Sequence, residues 1–449
     1  MRVPSGANSV VRRAVPRIYR SRSFVMVKHR SIVRTFDGWR AVGAAFIVAV
    51  FGWGTGFYGP PVYLELVHQL RGWSISLISG AVTLHFLVGV ALIPSLPALY
   101  RRLGVAMVVV SGAIVMGCGV VGWAIASAPW QLYVAAGLTG IGWSALGAVA
   151  VNAIVSPWFL VKRPMALGVA FNGGSVGGVI FSPLWVALVD HLGFFIAALL
   201  VAIAMVATIG GLGVRILRNT PEASGQAPDG VAVVAVAGSG SEATETTAER
   251  IKPLRLSQSR AFISLCAGMT LALFAQTGVV AHLVSILAPA LGRQGAGLAA
   301  GACGVTAVIG RLVVGRRSAS ARGWRTIASW SLAAQALGCG VMLVARSDDP
   351  ILLVTGVVLF GLGVGNAISV PPVIANLEFD GRDASRAVAL IVGISQGAYA
   401  IAPAAFGVLR EHASNRMMFL VAIGVQLAAI VAYAAGKRSA LGATSSCAA

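Results

Sequence analysis

The chain has 449 residues, of which 57% are hydrophobic and 11% charged, and its formal net charge is +20. An ordinary soluble protein carries about 25% charged residues, because its surface must remain polar. The composition therefore excludes a soluble globular protein and predicts a polytopic integral membrane protein.

Twelve predominantly apolar runs follow one another along the chain. A helix needs roughly 20 apolar residues to cross about 30 Å of hydrocarbon, and each run is about that long or longer. They form two sets of six, at 41–64, 75–99, 104–128, 131–155, 164–189 and 192–214, and at 261–291, 296–315, 326–345, 350–375, 387–409 and 417–435. The predicted fold class is an all-α membrane protein with twelve transmembrane helices in two six-helix halves.

The polar segments set the expected domain boundaries. We predict a basic tail at 1–36, a first half at 37–217, a linker at 218–259, a second half at 260–436 and a tail at 437–449. Residues 219–249 contain five acids and no Lys or Arg, a composition typical of a flexible linker. The basic tail fits a mitochondrial presequence, a positively charged cytoplasmic tail, or a chain that starts at Met26. We favour the last two readings.

The basic residues indicate a topology. With both termini and the linker placed in the cytoplasm, 28 of the 34 Lys and Arg residues lie on the cytoplasmic side and five on the other, while Arg311 lies within a run. Basic residues in short loops favour the cytoplasmic side. The net charge therefore reflects membrane topology and not nucleic-acid binding, and we expect a multi-pass protein of a bacterial plasma membrane.

The two halves share short motifs at a nearly constant offset, which predicts a duplication related by a parallel repeat. The matched pairs are Gly140-x-Gly142 with Gly361-x-Gly363, and Ala166-Leu167 before Asn172 and Gly174 with Ala389-Leu390 before Ser395 and Gly397. In the same region of the first half, Gly173-x-x-x-Gly177 and Gly174-x-x-x-Gly178 have the spacing that lets membrane helices approach closely.

Residues 158–178, with the sequence WFLVKRPMALGVAFNGGSVGG, form the most specific motif of the chain. With Asp37-Gly38-Trp39, Gly72-Trp73-Ser74 and Gly310-Arg311-x-x-x-Gly315, it resembles the monocarboxylate-porter and oxalate/formate-antiporter-like branch of the major facilitator superfamily. The resemblance spans nearly the whole chain. It implies twelve helices around a central site that opens alternately to each side of the membrane.

Three positions depart from the pattern of that superfamily. Arg101 stands where its loop between helices 2 and 3 carries an Asp, Ala307 stands where monocarboxylate porters tend to have an Asp, and helix 11 lacks the Lys of oxalate-type antiporters. By resemblance, the cytoplasmic gating loops of this chain comprise Arg101, Arg102, Gly104, Arg316 and Arg317.

Arg311 is the main candidate for substrate binding. A charge inside a membrane helix is costly, so such residues usually face the bundle interior, and a guanidinium fits a carboxylate through two hydrogen bonds. The alternative is that Arg311, five residues before Arg316, reaches the membrane interface with its long side chain.

The other candidate binding residues are polar groups within the runs. His282 and His85 could carry a proton or could be satisfied packing residues, and the remaining residues could line a cavity or bond between helices. These remaining candidates are Asn152, Asn172, Asn366, Gln396 and Tyr399.

The sequence contains no G-x-x-x-x-G-K-[ST] motif, no nucleophile–base–acid set and no metal-ligand spacing among its five cysteines. We predict no enzyme activity, no cofactor and no nucleic-acid partner. We predict a monomeric secondary transporter of a small organic anion, a monocarboxylate or dicarboxylate. The alternatives are an exporter of drugs or other apolar compounds and a non-transporting membrane sensor.

Coupling to protons is a further question, because the fourteen acids lie outside the middle of the runs. A coupled proton would therefore travel on His282, on His85 or with the substrate itself. Uniport and anion exchange need no proton site on the protein.

Overall fold

The computed structural model describes residues 36–230, 256–315, 321–346, 349–379 and 381–437, and these residues form helices joined by short turns, without a strand. We number the long helices α1 to α12. They are α1 (Gly38–Arg71), α2 (Ile75–Leu103), α3 (Val105–Ile125), α4 (Pro129–Trp158), α5 (Arg163–Leu192), α6 (Phe194–Leu217), α7 (260–291), α8 (293–315), α9 (Ala321–Val344), α10 (Pro350–Glu378), α11 (Gly381–His412) and α12 (Asn415–Lys437).

Helices α7 and α8 follow each other directly within Arg260–Gly315 and divide at Gly292, whose φ of 70° and ψ of 169° are not helical. Glycine adopts this positive φ without the steric cost that a Cβ would bring. The described residues contain eleven helical segments long and apolar enough to cross a membrane. Because one of them divides at Gly292, the spans number twelve, and the predicted fold class is confirmed.

Helix α1 extends well beyond its predicted end at residue 64. The chain turns at Phe57–Tyr58 and a second helical segment, Gly59–Arg71, begins with Pro60 and Pro61 in its first turn. Proline is tolerated there because the N–H that it lacks would have no helical partner. Glu65, which the sequence pattern places at a helix end, therefore lies within α1 and is only 8% exposed.

The two sets of six helices pack in matching pairs. In the first set, α1 packs on α5, α2 on α4, and α3 on α4 and α6. In the second set, α7 packs on α11, α8 on α10, and α9 on α10 and α12. Each pair of the second set is the counterpart, six helices later, of a pair in the first. This correspondence agrees with the duplication that the repeated motifs predict.

The glycines of α5 allow its close approach to α1, as the sequence predicts. A Cβ on Gly177 would lie 2.5 Å from the Val50 carbonyl oxygen, and one on Gly173 would overlap the Phe46 carbonyl oxygen. Gly174 and Gly178 lie on the adjoining face of α5, where they contact two aromatic rings of α1.

Residues 219–230 follow α6 and fold against the first half. Gln226 exchanges two hydrogen bonds with Asp37, at 3.0 and 3.2 Å. The Asp229 carboxylate accepts the backbone N–H groups of the loop before α5 at 2.7–3.1 Å, from Leu160, Val161 and Lys162. The linker that the composition predicts to be flexible thus begins with an attached segment. We call this end of the bundle the linker end and the opposite end the far end.

The two halves are joined mainly toward the far end. Arg293 of α8 forms an ion pair with Asp190 of α5 and donates to Gln69 of α1. Between α2 and α11, Ser76 N donates to the Glu411 carboxylate at 2.7 Å and Ala404 N to Thr83 Oγ1 at 3.0 Å. Gly297, Gly301 and Gly304 of α8 lie against α5. These contacts close the bundle at the far end.

Candidate functional site

Arg311 of α8 lies half-buried where the two halves face each other. Its Nε donates to the carbonyl oxygen of Gly365 in α10, and its Nη1 donates to Oδ1 of Asn172 in α5, both at 3.3 Å. The residue therefore joins a helix of the second half to a helix of the first. Both of these partners are neutral, and Arg311 forms no salt bridge with a described residue.

The approach of Arg311 to a backbone carbonyl depends on glycines between α8 and α10. Gly310 lies against the backbone of Leu362, and Gly365 lies against the backbone of Ala307, with no room for a Cβ at either position. A Cβ on Gly365 would also lie 3.4 Å from Arg311 Nε. The close packing lets the guanidinium reach a carbonyl oxygen on the neighbouring helix.

Aromatic side chains of the first half surround this position. Tyr58, after the break in α1, lies near Arg311, and its ring packs on Gly178 of α5. Phe171, beside Asn172, meets Trp53 edge to face at 6.3 Å, and Trp53 meets Trp143 at 5.1 Å. Arg311 and Asn172 thus lie at the edge of an aromatic wall, which we define as Trp53, Phe57, Tyr58, Phe86, Trp143 and Phe171.

Tyr399 of α11 meets this wall from the second half. Its ring centroid lies 5.5 Å from that of Phe86, its side chain lies near Trp143, and it is 8% exposed. Of the predicted binding residues, the structure therefore brings Arg311, Asn172 and Tyr399 to one region between the halves.

The two predicted histidines are engaged within the protein. His85 is 1% exposed and bonds Thr139 Oγ1 through Nδ1 and the Gly56 carbonyl through Nε2, both at 2.9 Å. His282 is fully buried, and its Nε2 lies 3.0 Å from the Pro403 carbonyl oxygen, to which it must donate.

The second nitrogen of His282 faces a cation. Arg410 Nη1 lies 3.1 Å from His282 Nδ1 and donates to Ser285 Oγ at 2.5 Å. Because Arg410 only donates, Nδ1 must accept, so the imidazole is neutral. Arg410 also interacts electrostatically with the buried Glu65.

Three predicted residues lie elsewhere. Asn152 is exposed on α4, where it donates to the Ala148 carbonyl of its own helix at 2.9 Å. Asn366 is 3% exposed and donates to Ser331 Oγ of α9, inside the second half. Gln396 is half-buried on α11, one turn before Tyr399.

The predicted gating loop between α2 and α3 lies exposed at the linker end, where Gly104 has a φ of 80°. Arg101 and Arg102 are exposed in the last turn of α2. Arg316 and Arg317 lie outside the described residues.

Sequence reasoning missed the aromatic wall and the position of Arg410 beside His282. The signal for the wall was the pair Gly174 and Gly178, because glycines four residues apart leave room for large rings on the facing helix. For Arg410, no local signal exists, since its partners His282 and Ser285 lie on α7. Among the described residues, no group of three or more His, Cys, Asp or Glu could hold a metal ion.

Comparison with known proteins gives a family for this arrangement. The sequence model of the Major Facilitator Superfamily matches residues 42–319. MFS transporter asaE of Aspergillus flavus is 30% identical over 165 residues, which cover 36% of this chain and 37% of that protein. MFS-type transporter 1 of an Ophiocordyceps species is 30% identical over 162 residues, or 35% of this chain and 36% of that protein. The chain thus matches about a third of the length of these relatives.

Solved structures share the fold over most of the chain. The nucleoside transporter NupG superposes with a TM-score of 0.67 at 13% identity, covering 89% of this chain and 99% of that one. A bacterial homologue of the human lysosomal transporter Spinster, in an inward-facing and occupied conformation, superposes with a TM-score of 0.64 at 13% identity, covering 90% and 97%. At this identity, the similarity shows the fold alone.

Proposed function

This chain belongs to the major facilitator superfamily, and on that premise we propose that it carries a small organic anion across the membrane by alternating access between its two halves. The observation that carries the proposal is Arg311, a cation between the halves whose two bonds go to neutral oxygens. A carboxylate is the group that a guanidinium binds most strongly, through two charge-assisted hydrogen bonds. A bound monocarboxylate or dicarboxylate would supply the negative charge that the two neutral partners of Arg311 do not provide.

The orientation follows from the basic residues. Arg101, Arg102, Lys162 and Arg163 lie at the linker end, which supports a cytoplasmic location for that end and for both termini. With this orientation, the far end faces outward and is the closed side. The location in a bacterial plasma membrane and the monomeric state stay predictions, and the matched curated relatives are fungal.

We propose that a coupled proton, if the carrier uses one, travels with the substrate. His85 and His282 each use both ring nitrogens within the protein, and protonation of His282 would place a second cation beside Arg410. The test is uptake into liposomes with and without an inward pH gradient, for the wild type and for His282→Gln. Gradient-driven accumulation that is lost in the variant, with anion counterflow retained, would assign the proton to His282.

The aromatic wall supports a second candidate, an exporter of apolar compounds. Aromatic rings bind apolar bodies by burial and stacking, and the six rings of the wall lie together with Arg311 at its edge. The two candidates differ in whether the cargo needs a negative charge. A cargo with both an apolar body and a carboxylate would use the wall and Arg311 together.

The test is counterflow of radiolabelled carboxylates in proteoliposomes. Arg311→Lys keeps the charge but loses the planar fork, and hydrogen bonds to a charged group contribute about 1.5–3 kcal/mol. We therefore expect the apparent KM to rise roughly tenfold to a hundredfold, and Arg311→Gln to do at least as much. Arg215→Gln, at an exposed position near the end of α6, is the control that removes the same charge.

Unchanged counterflow in Arg311→Gln would contradict the anion proposal. Uptake of uncharged apolar compounds by that variant, together with no carboxylate counterflow by the wild type, would favour the exporter.

A further inference from the structure

A small cavity lies inside the second half, away from the central site. It lies between α7, α9, α10 and α12, measures about 10 Å³, and has Ser331, Gln335, Asn366 and Tyr433 as lining residues with polar side-chain atoms. Gln335 is fully buried and Asn366 is 3% exposed. These groups are therefore removed from bulk water and must find their hydrogen bonds within the protein.

Two oxygens at this cavity lack a partner. Gln335 Oε1 and Asn366 Oδ1 have no hydrogen bond to any described residue. The nitrogen of each amide is bonded, from Gln335 Nε2 to Gln276 Oε1 at 3.4 Å and from Asn366 Nδ2 to Ser331 Oγ at 3.0 Å. Two residues that line one cavity therefore each carry a buried acceptor to which no described residue donates.

The orientation of the Asn366 amide follows from its neighbour. Ser331 Oγ gives its own proton to the Ile327 carbonyl at 3.0 Å, so it can only accept from Asn366. The nitrogen of Asn366 must therefore point to Ser331, and the oxygen is the atom left unbonded. Ser331 and Gln335 lie one helical turn apart on α9, which places both amides at the same level of the bundle.

We propose that this cavity holds one ordered water molecule, which donates its two O–H groups to Gln335 Oε1 and Asn366 Oδ1. A water site needs roughly 10–15 Å³ of this kind of space and two or more polar partners. The two donors of water match the two unbonded acceptors. The water ties α9 to α10, and Asn366 serves as its ligand, not as a ligand of the transported substrate.

A cation fits the same oxygens less well. None of the polar lining residues carries a charge, so a buried cation would lack compensation within the apolar interior. An ammonium or sodium ion would also need more oxygen ligands than the cavity offers.

The first test is an experimental structure of the full chain in lipid nanodiscs, at a resolution that reveals ordered water. We expect density for one water within hydrogen-bond distance of both amide oxygens. An empty cavity, a direct bond between the two side chains, or an ion in place of the water would overturn the proposal.

The second test is a double-mutant cycle on the midpoint temperature of thermal unfolding. Asn366→Leu and Gln335→Met each remove one acceptor with little change of side-chain volume. The remaining acceptor then lacks its partner, so each variant should lower the midpoint temperature. The double variant removes both acceptors and should lie no lower than the worse single variant, because the shared water is already lost.

The matched control is Gln276→Met. Gln276 is hydrogen-bonded to Nε2 of Gln335 and not to its unbonded oxygen. Its effect should add to that of Asn366→Leu. Additivity between Gln335→Met and Asn366→Leu would overturn the shared water. The same measurement in sodium chloride and in choline chloride should give equal midpoints, and a stabilisation specific to sodium that Gln335→Met abolishes would assign the site to a cation instead. If a variant fails to fold, the nanodisc structure decides.

Discussion

In the first half, α5 lies against α1 through Gly173 and Gly177, and these glycines touch backbone oxygens. In the second half, the counterpart pair α11 and α7 meets through side chains, with His282 bonded to the Pro403 carbonyl and Thr270 bonded to Ser395. At the repeat offset, Gln396 and Ala400 occupy the positions of the two glycines. The same helix pair is thus held by close backbone approach in one half and by polar bonds in the other.

The interiors differ in the same way. The largest fully buried side chains of the first half are aromatic or aliphatic, among them Trp123, Trp185 and Tyr63. The second half buries Arg325, 1% exposed, together with Gln335. The counterpart helix pairs of a duplicated scaffold can therefore be held by close packing in one copy and by polar groups in the other. Helices held by close packing should keep their stability when a polar atom is removed, whereas a buried polar network should lose stability.

The largest expected effect concerns the buried ion pair of the second half. Arg325 Nε and Nη2 donate to the two oxygens of Glu378 at 2.6 and 2.7 Å, and the side chains are 1% and 14% exposed. Removing one partner of a buried pair costs about 3–5 kcal/mol, because the other charge is left unpaired. Arg325→Met should lower the free energy of unfolding in micelles by that amount.

Replacing both partners separates charge from packing. The double variant Arg325→Met/Glu378→Met leaves no unpaired charge, so it should recover much of the stability lost in the single variant. Arg215→Gln at the exposed end of α6 is the control for loss of a cation. If Arg325→Met is as stable as that control, the second half does not depend on its buried charges.

The second prediction tests the glycine packing of the first half. Gly173→Val would force a side chain against the backbone of α1, and overpacking of this kind costs typically about 1–3 kcal/mol. Two glycines have no neighbour within 4 Å of an added Cβ, namely Gly168 in the same helix and Gly397 in α11. Valine at either position should be tolerated. These two variants therefore serve as controls for the effect of valine on helix formation.

The measurement is the midpoint temperature of unfolding for the three valine variants. Equal losses at Gly173 and Gly397 would remove the difference between the halves. A loss at Gly173 alone would confirm that, of the two counterpart helices, α5 relies on close backbone approach and α11 does not.

The fold was open to prediction from the sequence because hydrocarbon thickness dictates the length of apolar runs. Arg311 was also predictable, since a charge in such a run is costly and stands out. The aromatic wall was indicated only by the spacing of Gly174 and Gly178, because Trp53 and Phe171 look like ordinary apolar residues until α1 and α5 are packed together. The roles of His282 and Asn366 depend on Arg410 and Ser331, which are 128 and 35 residues away in the chain. Local patterns carry no information on partners at that distance.

The third prediction concerns the contacts between the halves, which are weaker than those within them. The side chains of Arg293 and Asp190 are 38% and 30% exposed, and ion pairs accessible to solvent contribute about 0.2–1 kcal/mol. Asp190→Asn should therefore change the equilibrium constant between the conformations with a closed and an open far end by only a few fold. Spin labels on Arg71→Cys and Arg416→Cys, in a background with Cys118→Ser and Cys447→Ser, would report the distance between the halves at this end.

A broader distance distribution in Asp190→Asn would confirm that the pair helps to close the far end. An unchanged distribution would place the closure in the glycine contacts of α8 with α5. The unfolding midpoint should remain that of the wild type in either case, because the pair lies between the halves and not within one.

The smallest expected effect concerns residues 219–230, the linker segment that is attached to the first half. Desolvation raises the pKa of Asp229, but the backbone N–H groups of Val161, Lys162 and Leu160 together lower it below its ordinary value of 3.8. A group whose pKa is lowered on docking stabilises the docked state above its ordinary range, and this stabilisation is lost as pH falls through the lowered pKa. The segment should stay attached at neutral pH and detach only in acid. Hydrogen exchange at the amides of residues 160–162 should therefore be slow in the wild type and faster in Asp229→Asn at neutral pH. Glu222→Gln, an exposed acid in the same segment, should match the wild type, and equal exchange in both variants would show that the Asp229 carboxylate does not hold the loop before α5.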